Sequence, residues 1–246
     1  MMTELAKRLK EGTKESHSAA ENTKFVASFL RGVVDYEEYR KLLTNFYYVY
    51  DTMEQRIRET EDPMVQAIRS ESLERKDSIE QDLERKEAIE RDLEYYYGPD
   101  WKDKQEPSEA CNTYCYRINE VAEENPYLLI AHHYTRYIGD LSGGKILKEI
   151  AARVLKPPVG KGLQFYEFPS IPDAKEFKNN YRAVLDNLDC DEQQINALIT
   201  EANYAFRLNM YMFDEIQGSA SKSFLRLAIS YLGSFIQEMT VSKRYR

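Results

Sequence analysis

Histidine occurs only three times in this 246-residue chain, and one copy sits in a chemically suggestive setting. His17 has Lys10 and Lys14 ahead of it and Glu21 behind it, at offsets of −7, −3 and +4. On an α-helix those positions share one face. An imidazole that ligates a metal wants a carboxylate to orient the ring, and amines on the same face would meet an acidic ligand. An iron porphyrin with two propionates is one ligand of that kind. A surface histidine among charged neighbours is the other reading of the same spacing.

The other two histidines open a second constellation, Leu128-Leu-Ile-Ala-His-His-Tyr-Thr-Arg-Tyr-Ile-Gly-Asp-Leu-Ser-Gly-Gly144. It begins as an apolar helix and then carries Gly139, Gly143 and Gly144 within six residues. Each glycine inside a helix weakens it by nearly 1 kcal/mol, so the cluster needs a purpose. Bare backbone lets a helix bend and lets a flat ligand approach closely. Asp140 and Ser142 are polar groups at that bend, and Asp140 is a candidate to hold a water. Helix packing through small residues with a satisfied carboxylate remains the alternative. His132 and His133 are expected to pack or hydrogen-bond rather than to bind a ligand.

Several rival chemistries lack their residues. There is no Glu-x-x-His pair for a di-iron bundle and no CxxCH for covalent haem. Asp140-Leu-Ser142-Gly-Gly144 lacks the first glycine of a nucleophile elbow. No strand precedes the glycines, as a phosphate loop would require.

Helices have to position these groups. Residues 4–26 form a first helical pattern, Tyr36 to Glu59 a second with a broad apolar face, and Ser72 to Tyr97 a highly charged third. Pro107 opens a helix to Glu124, and Asn125-Pro126 separates it from a long segment ending at Leu155. Pro157, Pro158, Pro169, Pro172, Gly160 and Gly162 make 156–172 a loop. Two further helices, 173–187 and 191–217, each start at an acidic N-cap candidate. No strand pattern and no interior linker is visible. The expectation is an all-α single domain over 1–217, with 218–246 an amphipathic or mobile tail.

The charged segment holds a tandem repeat, Leu73-Glu-Arg-Lys-Asp-Ser-Ile-Glu-Gln-Asp82 followed by Leu83-Glu-Arg-Lys-Glu-Ala-Ile-Glu-Arg-Asp92. Ten residues turn a helix through about 1000°, so the two apolar pairs cannot share one face. One copy is expected on the body and the other, 83–92, in solvent.

A net charge of −8 disfavours general nucleic-acid binding. Three cysteines, Cys111, Cys115 and Cys190, fit reduced thiols of a cytosolic protein. No apolar run follows Met1-Met2, so no signal peptide is expected. Phe224 to Val241 is apolar but interrupted by Arg226, Gln237 and Glu238, which argues against a transmembrane anchor.

Several blocks together, namely Leu9 to His17, Ala20-Glu21-Asn22, Tyr96-Tyr97-Gly98-Pro99, Tyr134-Thr-Arg-Tyr-Ile-Gly-Asp-Leu-Ser-Gly-Gly144, Phe177-Lys178, Tyr181-Arg182 and Glu201 to Asn209, carry a resemblance. From about Leu5 to Gln217 the chain resembles the haem oxygenase family. The resemblance implies a helical fold with haem b, both cofactor and substrate, between the first helix and the glycine-rich one. His17 would be the axial iron ligand and Glu21 its orienting partner. Gly139, Asp140, Gly143 and Gly144 would line the distal, oxygen-binding face. Lys10, Lys14, Lys178 and Arg182 would face the propionates. Tyr134, Thr135 and Arg136 would support one edge, with Tyr50, Phe206, Asn209 and Phe213 in the walls and their hydrogen bonds.

Dioxygen would open the ring to biliverdin, carbon monoxide and ferrous iron. A catalytically silent haem carrier on the same fold, or a helical hydrolase or regulator without haem, are the alternatives. Two features depart from the family: Lys145 where glutamine is usual, and the second repeat copy. The wording is closest to cyanobacterial and algal members, which implies ferredoxin as electron donor, bilin reductases downstream, and a cytoplasmic or plastid-stroma setting.

Overall fold

A computed structural model describes residues 4–70, 85–169 and 171–217. Among these residues every regular element is helical. The centre is built by α4 (Tyr36–Glu59), α8 (Glu109–Glu124) and α12 (Glu192–Ile216). Around it lie α1 (Leu5–Gly12), α2 (Lys14–Glu21), α3 (Lys24–Leu30), α5 (Pro63–Ser70), α6 (Lys86–Tyr97), α7 (Trp101–Lys104), α9 (Leu129–His133), α10 (Gly139–Leu155) and α11 (Ala174–Asn187). A widened, π-type turn, Tyr134–Ile138, joins α9 to α10.

Local chemistry explains where these helices begin. Asp35, Ser108, Asp173 and Asp191 each accept a backbone N–H at a helix start, and Asp191 completes a capping box with Gln194. The two acidic caps expected from the sequence are therefore in place. The apolar face of α4 supplies Tyr39, Leu43, Val49, Tyr50 and Met53, all fully buried.

Four expectations need correction. The first helical pattern is three helices, because the chain departs from helical angles at Thr13 and Thr23, and the Thr23 hydroxyl caps a new helix from Lys24 by accepting the Val26 N–H. Lys10 therefore lies on α1, while Lys14, His17 and Glu21 lie on α2. The irregular turn sits one turn before the glycines, and α10 runs regularly through them. The 156–172 loop contains a short helical turn, Gln164–Tyr166, with Phe165 and Tyr166 buried.

The fourth correction concerns the repeat. Its second copy is not in solvent: Arg85, Ala88, Ile89 and Asp92 are buried, and Lys86 pairs with Asp51 at 2.5 Å. The first copy and the first two residues of the second, Leu83 and Glu84, fall outside the described residues, as does the 218–246 tail.

His132 and His133 do pack. His132 Nε2 lies 3.0 Å from Glu201 Oε1, and the Arg117 guanidinium holds the same carboxylate at 2.6 and 3.0 Å. The His133 ring stacks on Tyr181, with Nδ1 2.8 Å from the phenol oxygen, and burial pushes its pKa down to about 3. Cys111, Cys115 and Cys190 are free thiols. No described helix is long and apolar enough to cross a membrane.

Two measurements follow from this packing. Burial alone would raise the Glu201 carboxyl, but the hydrogen bonds from His132 and Arg117 hold it at about 2, below its ordinary 4.5. A depressed carboxylate stabilises the fold above the unfolded-state value and loses that contribution as pH falls toward 2. Glu201→Gln is expected to lower unfolding free energy at pH 7 by about 3 kcal/mol and to flatten the acid limb between roughly pH 4.5 and 2. Urea unfolding across that range reads both effects.

Excising residues 83–92 joins Asp82 to Leu93 and brings Arg75, Lys76, Ile79 and Asp82 to the spacing now held by Arg85, Lys86, Ile89 and Asp92. The deletion is expected to shift unfolding by less than about 1 kcal/mol, whereas Ile89→Ala in the full chain removes about 2–5 kcal/mol. Thermal unfolding by circular dichroism compares them; a deletion that loses its helical signal contradicts the equivalence.

Candidate functional site

His17 is on the exposed side of α2, its side chain 56% exposed, with Nδ1 3.7 Å from Glu21 Oε2. The short helix α2 lies on α12, where the edge of the Phe206 ring meets the imidazole at 5.7 Å between centroids. About two turns further along α12, Phe213 stacks on Phe25 of α3 at 5.5 Å. Aromatic side chains thus continue along α12 from the histidine. Lys10 and Lys14 are exposed near the junction of α1 and α2.

The glycine-rich helix α10 packs on α3 and on the Gln164–Tyr166 turn. Among the described residues a Cβ built on Gly139 or Gly143 would find nothing within 4 Å, so on these residues the two glycines face open space. Gly144 is different: its Cβ position lies 3.5 Å from the Tyr166 ring, on the packed side of the helix. Of the three glycines singled out, two leave a bare helix face and the third allows close packing.

Asp140 stands between them with a side chain 13% exposed. Tyr50 donates its hydroxyl proton to Asp140 Oδ2, and Arg136 Nη2 approaches Oδ1 at 3.3 Å. Arg136 Nε also donates to the Tyr50 oxygen at 3.1 Å, and its Nη1 to Asn209 Oδ1 at 2.7 Å. Asn209 Nδ2 in turn donates to the Tyr114 oxygen at 3.4 Å. Burial pushes the Asp140 carboxyl above the ordinary carboxylate range, against the opposing pull of Arg136, the Tyr50 hydrogen bond and Arg85. A buried carboxyl raised in this way is suited to holding and passing a proton.

The π-type turn carries the expected edge residues. Tyr134 hydrogen-bonds Thr13 and lies near Arg182, so it touches both the α1–α2 junction and α11. Thr135 is buried with no hydrogen-bond partner for Oγ1. From α11, Lys178 Nζ reaches Ser142 Oγ on α10 at 3.3 Å, while Arg182 donates to Asn179 at 3.0 Å. Both α11 cations are half-buried, Lys178 beside the glycine-rich helix and Arg182 near Tyr134, whereas Lys10 and Lys14 are exposed.

Three members of the distal network escaped sequence reasoning: Glu54, Tyr137 and Arg85. Glu54 Oε1 accepts the Tyr137 hydroxyl at 2.8 Å and the Arg85 backbone N–H at 2.6 Å. A buried glutamate in the apolar face of α4 was the one available signal.

Fold and site together define an all-helical protein with an accessible imidazole on one short helix and a buried acid network under the bare face of another. Comparison with known proteins names the class. The chain matches the family model described as "Heme oxygenase" over residues 3–85 and 81–215, two segments that overlap where the repeat copies meet. It is 44% identical to "Heme oxygenase" of Porphyra purpurea, over 96% of both chains, and 46% identical to "Heme oxygenase 1" of Nostoc, over 91% and 90%. Its structure resembles the crystal structure of heme oxygenase-1 from the cyanobacterium Synechocystis in complex with heme, with TM-score 0.81 and 42% identity over 94% of this chain and 100% of that one. The chain belongs to the haem oxygenase family.

The glycines make a prediction about stability alone. Because Gly143 meets nothing, Gly143→Ala is expected to raise unfolding free energy by about 0.5–1 kcal/mol through helix propensity. Gly144→Ala, against Tyr166, gains less. Melting temperatures of the two variants test the assignment of open and packed faces.

Proposed function

We propose that this chain uses dioxygen and electrons to open the ring of haem b, giving biliverdin IXα, carbon monoxide and ferrous iron. One observation carries the reading: the carboxyl of Asp140, 13% exposed, is held by Tyr50 and Arg136 on the same helix whose Gly139 and Gly143 leave bare backbone. Haem is the substrate, and it brings the iron at which dioxygen is reduced.

The fit of haem is supported by the donor set. His17 offers one accessible imidazole, and with Nδ1 beside Glu21, Nε2 is the nitrogen left for iron. Among the described residues no three His, Cys, Asp or Glu groups converge as a cage for a bare ion. Gly139 and Gly143 allow a flat ring to lie against α10. Lys178 and Arg182, with Lys10 and Lys14 outside them, supply cations for two propionates and so fix which ring edge points inward.

The distal residues then manage protons. Asp140 holds a water over the ring, with Tyr50 and Arg136 fixing the orientation of the carboxylate. Delivery of a proton from that position favours attack on the ring edge over simple release of reduced oxygen. Gly144, Thr135, Asn209, Phe206 and Phe213 shape the walls without touching the transferred proton. Kinship with cyanobacterial and algal relatives extends the reading to ferredoxin as donor, bilin reductases as consumers of the product, and the cytoplasm or plastid stroma as the setting.

The test uses hemin, ascorbate and hydrogen peroxide with three proteins. The unmodified chain is expected to give a Soret band and a bilin spectrum. His17→Ala retains some hemin through the apolar walls but loses turnover, which added imidazole partly restores. Asp140→Ala binds hemin normally and forms bilin ten- to a hundredfold more slowly, equivalent to about 1.4–2.7 kcal/mol of transition-state stabilisation. With peroxide it oxidises guaiacol instead. Hemin binding without bilin from the unmodified chain would make it a carrier, and wild-type rates in Asp140→Ala would reduce that residue to packing.

A further inference from the structure

The short turn Gln164–Tyr166 backs the glycine-rich helix, and its ends are held by Asp92 of α6 and by Arg85, the residue that caps the start of α6. At its start, Asp92 Oδ1 accepts the Gln164 N–H at 2.9 Å and Oδ2 accepts the Phe165 N–H at 2.8 Å. At its end, Arg85 Nη1 donates to the carbonyls of Phe165, at 3.3 Å, and Glu167. Seven residues separate Arg85 from Asp92, two helical turns, so both side chains project toward the same turn. Each is at least 97% buried, and the Arg85 guanidinium also lies 3.9 Å over the Phe168 ring.

A one-turn helix leaves its N–H and C=O groups unpaired at both ends. Here a carboxylate meets the first set and a guanidinium the second. The turn then passes its position on. Its Tyr166 ring is the surface against which Gly144 of α10 packs, 3.5 Å from the Cβ position. Its Phe165 ring contacts Tyr50 at 5.9 Å and Phe46 at 5.5 Å between centroids. Lys148 of α10 pairs with Glu167 at 2.6 Å. The Arg85 N–H meets Glu54, which takes the Tyr137 hydroxyl from the π-type turn. Both flanks of Asp140 are thereby tied to α6.

We propose that Arg85 and Asp92 are positioning residues for the distal face: by clamping the two ends of the Gln164–Tyr166 turn they set where Tyr50 and the Asp140–Gly144 stretch stand relative to the bound ring. Neither touches the ligand. The proposal rests on the haem-cleavage reading for its kinetic consequence and on the apo protein alone for its structural one. The chemistry of the clamp is specific, because Asp92→Asn replaces one acceptor oxygen with an N–H2 group facing an N–H.

The experiment compares Asp92→Asn and Arg85→Lys with the unmodified chain. In the apo protein, amide NMR resonances of Asp140, Gly143 and Gly144 are expected to shift in Asp92→Asn while those of His17 and Glu21 stay. With hemin and a reductant, measured well below each variant's melting temperature, hemin affinity is expected within about twofold of wild type while kcat falls about tenfold and bilin isomers mix. Arg85→Lys retains the charge but reaches one carbonyl instead of two, and loses less. Unshifted distal resonances together with a wild-type kcat and isomer pattern in folded Asp92→Asn overturn the proposal. A wild-type protein that binds hemin without making bilin overturns the haem-cleavage reading instead, and the NMR comparison still decides the clamp.

Discussion

A guanidinium buried in the middle of a helical fold must be met on every side, and that requirement organises this molecule. Arg136 is 7% exposed. It is answered by Asp140 from the next turn, by Tyr50 from α4 and by Asn209 from α12, with Phe46 beneath its plane at 4.1 Å. Removing one partner of such a buried pair leaves an uncompensated charge, an effect of about 3–5 kcal/mol. The arrangement therefore fixes α4, α10 and α12 against one another at the point where Asp140 must stand. The same contacts that hold the fold also hold the carboxylate in one orientation.

The distal face shows how stability and function are divided. Gly139 and Gly143 weaken α10 by roughly 1 kcal/mol each relative to alanine, and no packing among the described residues recovers it. Gly144 has a packing reason, the Tyr166 ring. A helix softened on its open side needs firm support on the other, and here that support is unusually polar. Asp92 and Arg85 hold the backing turn, Glu54 holds Tyr137, and Lys148 holds Glu167. Asp92 is pushed up to about 6 by burial, so keeping it ionised near neutrality carries a stability penalty. Near-neutral pH thus sets the clamp's hydrogen bonding against its own desolvation.

Much of this was legible from the residues. Helix starts were visible because a capping side chain is a local device: Asp173 and Asp191 act on N–H groups two or three residues away. His17 with Glu21, and Asp140 with its glycines, were visible because helical periodicity brings near neighbours together. The contacts that give Asp140 its character were not visible from spacing, since Tyr50 lies 90 residues before it in sequence and Asn209 lies 73 residues beyond Arg136. Tyr50 and Asn209 entered only through the family resemblance. The breaks at Thr13 and Thr23 were missed because threonine is tolerated within a helix and its hydroxyl can instead bond the local backbone. The repeat misled for a related reason: ten residues do not close on a helix, so periodicity showed that one copy must differ without showing which.

The two sides of the site are built in opposite ways. The distal carboxyl is buried, held by a charged network and braced from two helices. The histidine side is an eight-residue helix with no fully buried side chain, resting on α12 and bounded by irregular residues at both ends. Isolated helices of that length are marginal, so the position of α2 depends on what it touches. Among the described residues its side chains meet α12 through Ser16, 2.5 Å from Asn203, and through the His17–Phe206 ring contact. A ligand seated between His17 and the bare face of α10 would add contacts chiefly to the weaker wall. The stronger wall, with Asp140, Tyr50 and Arg136 already bonded to one another, would need little adjustment. That asymmetry suits a substrate that must enter, be held while chemistry proceeds at a fixed distal geometry, and leave as a different shape.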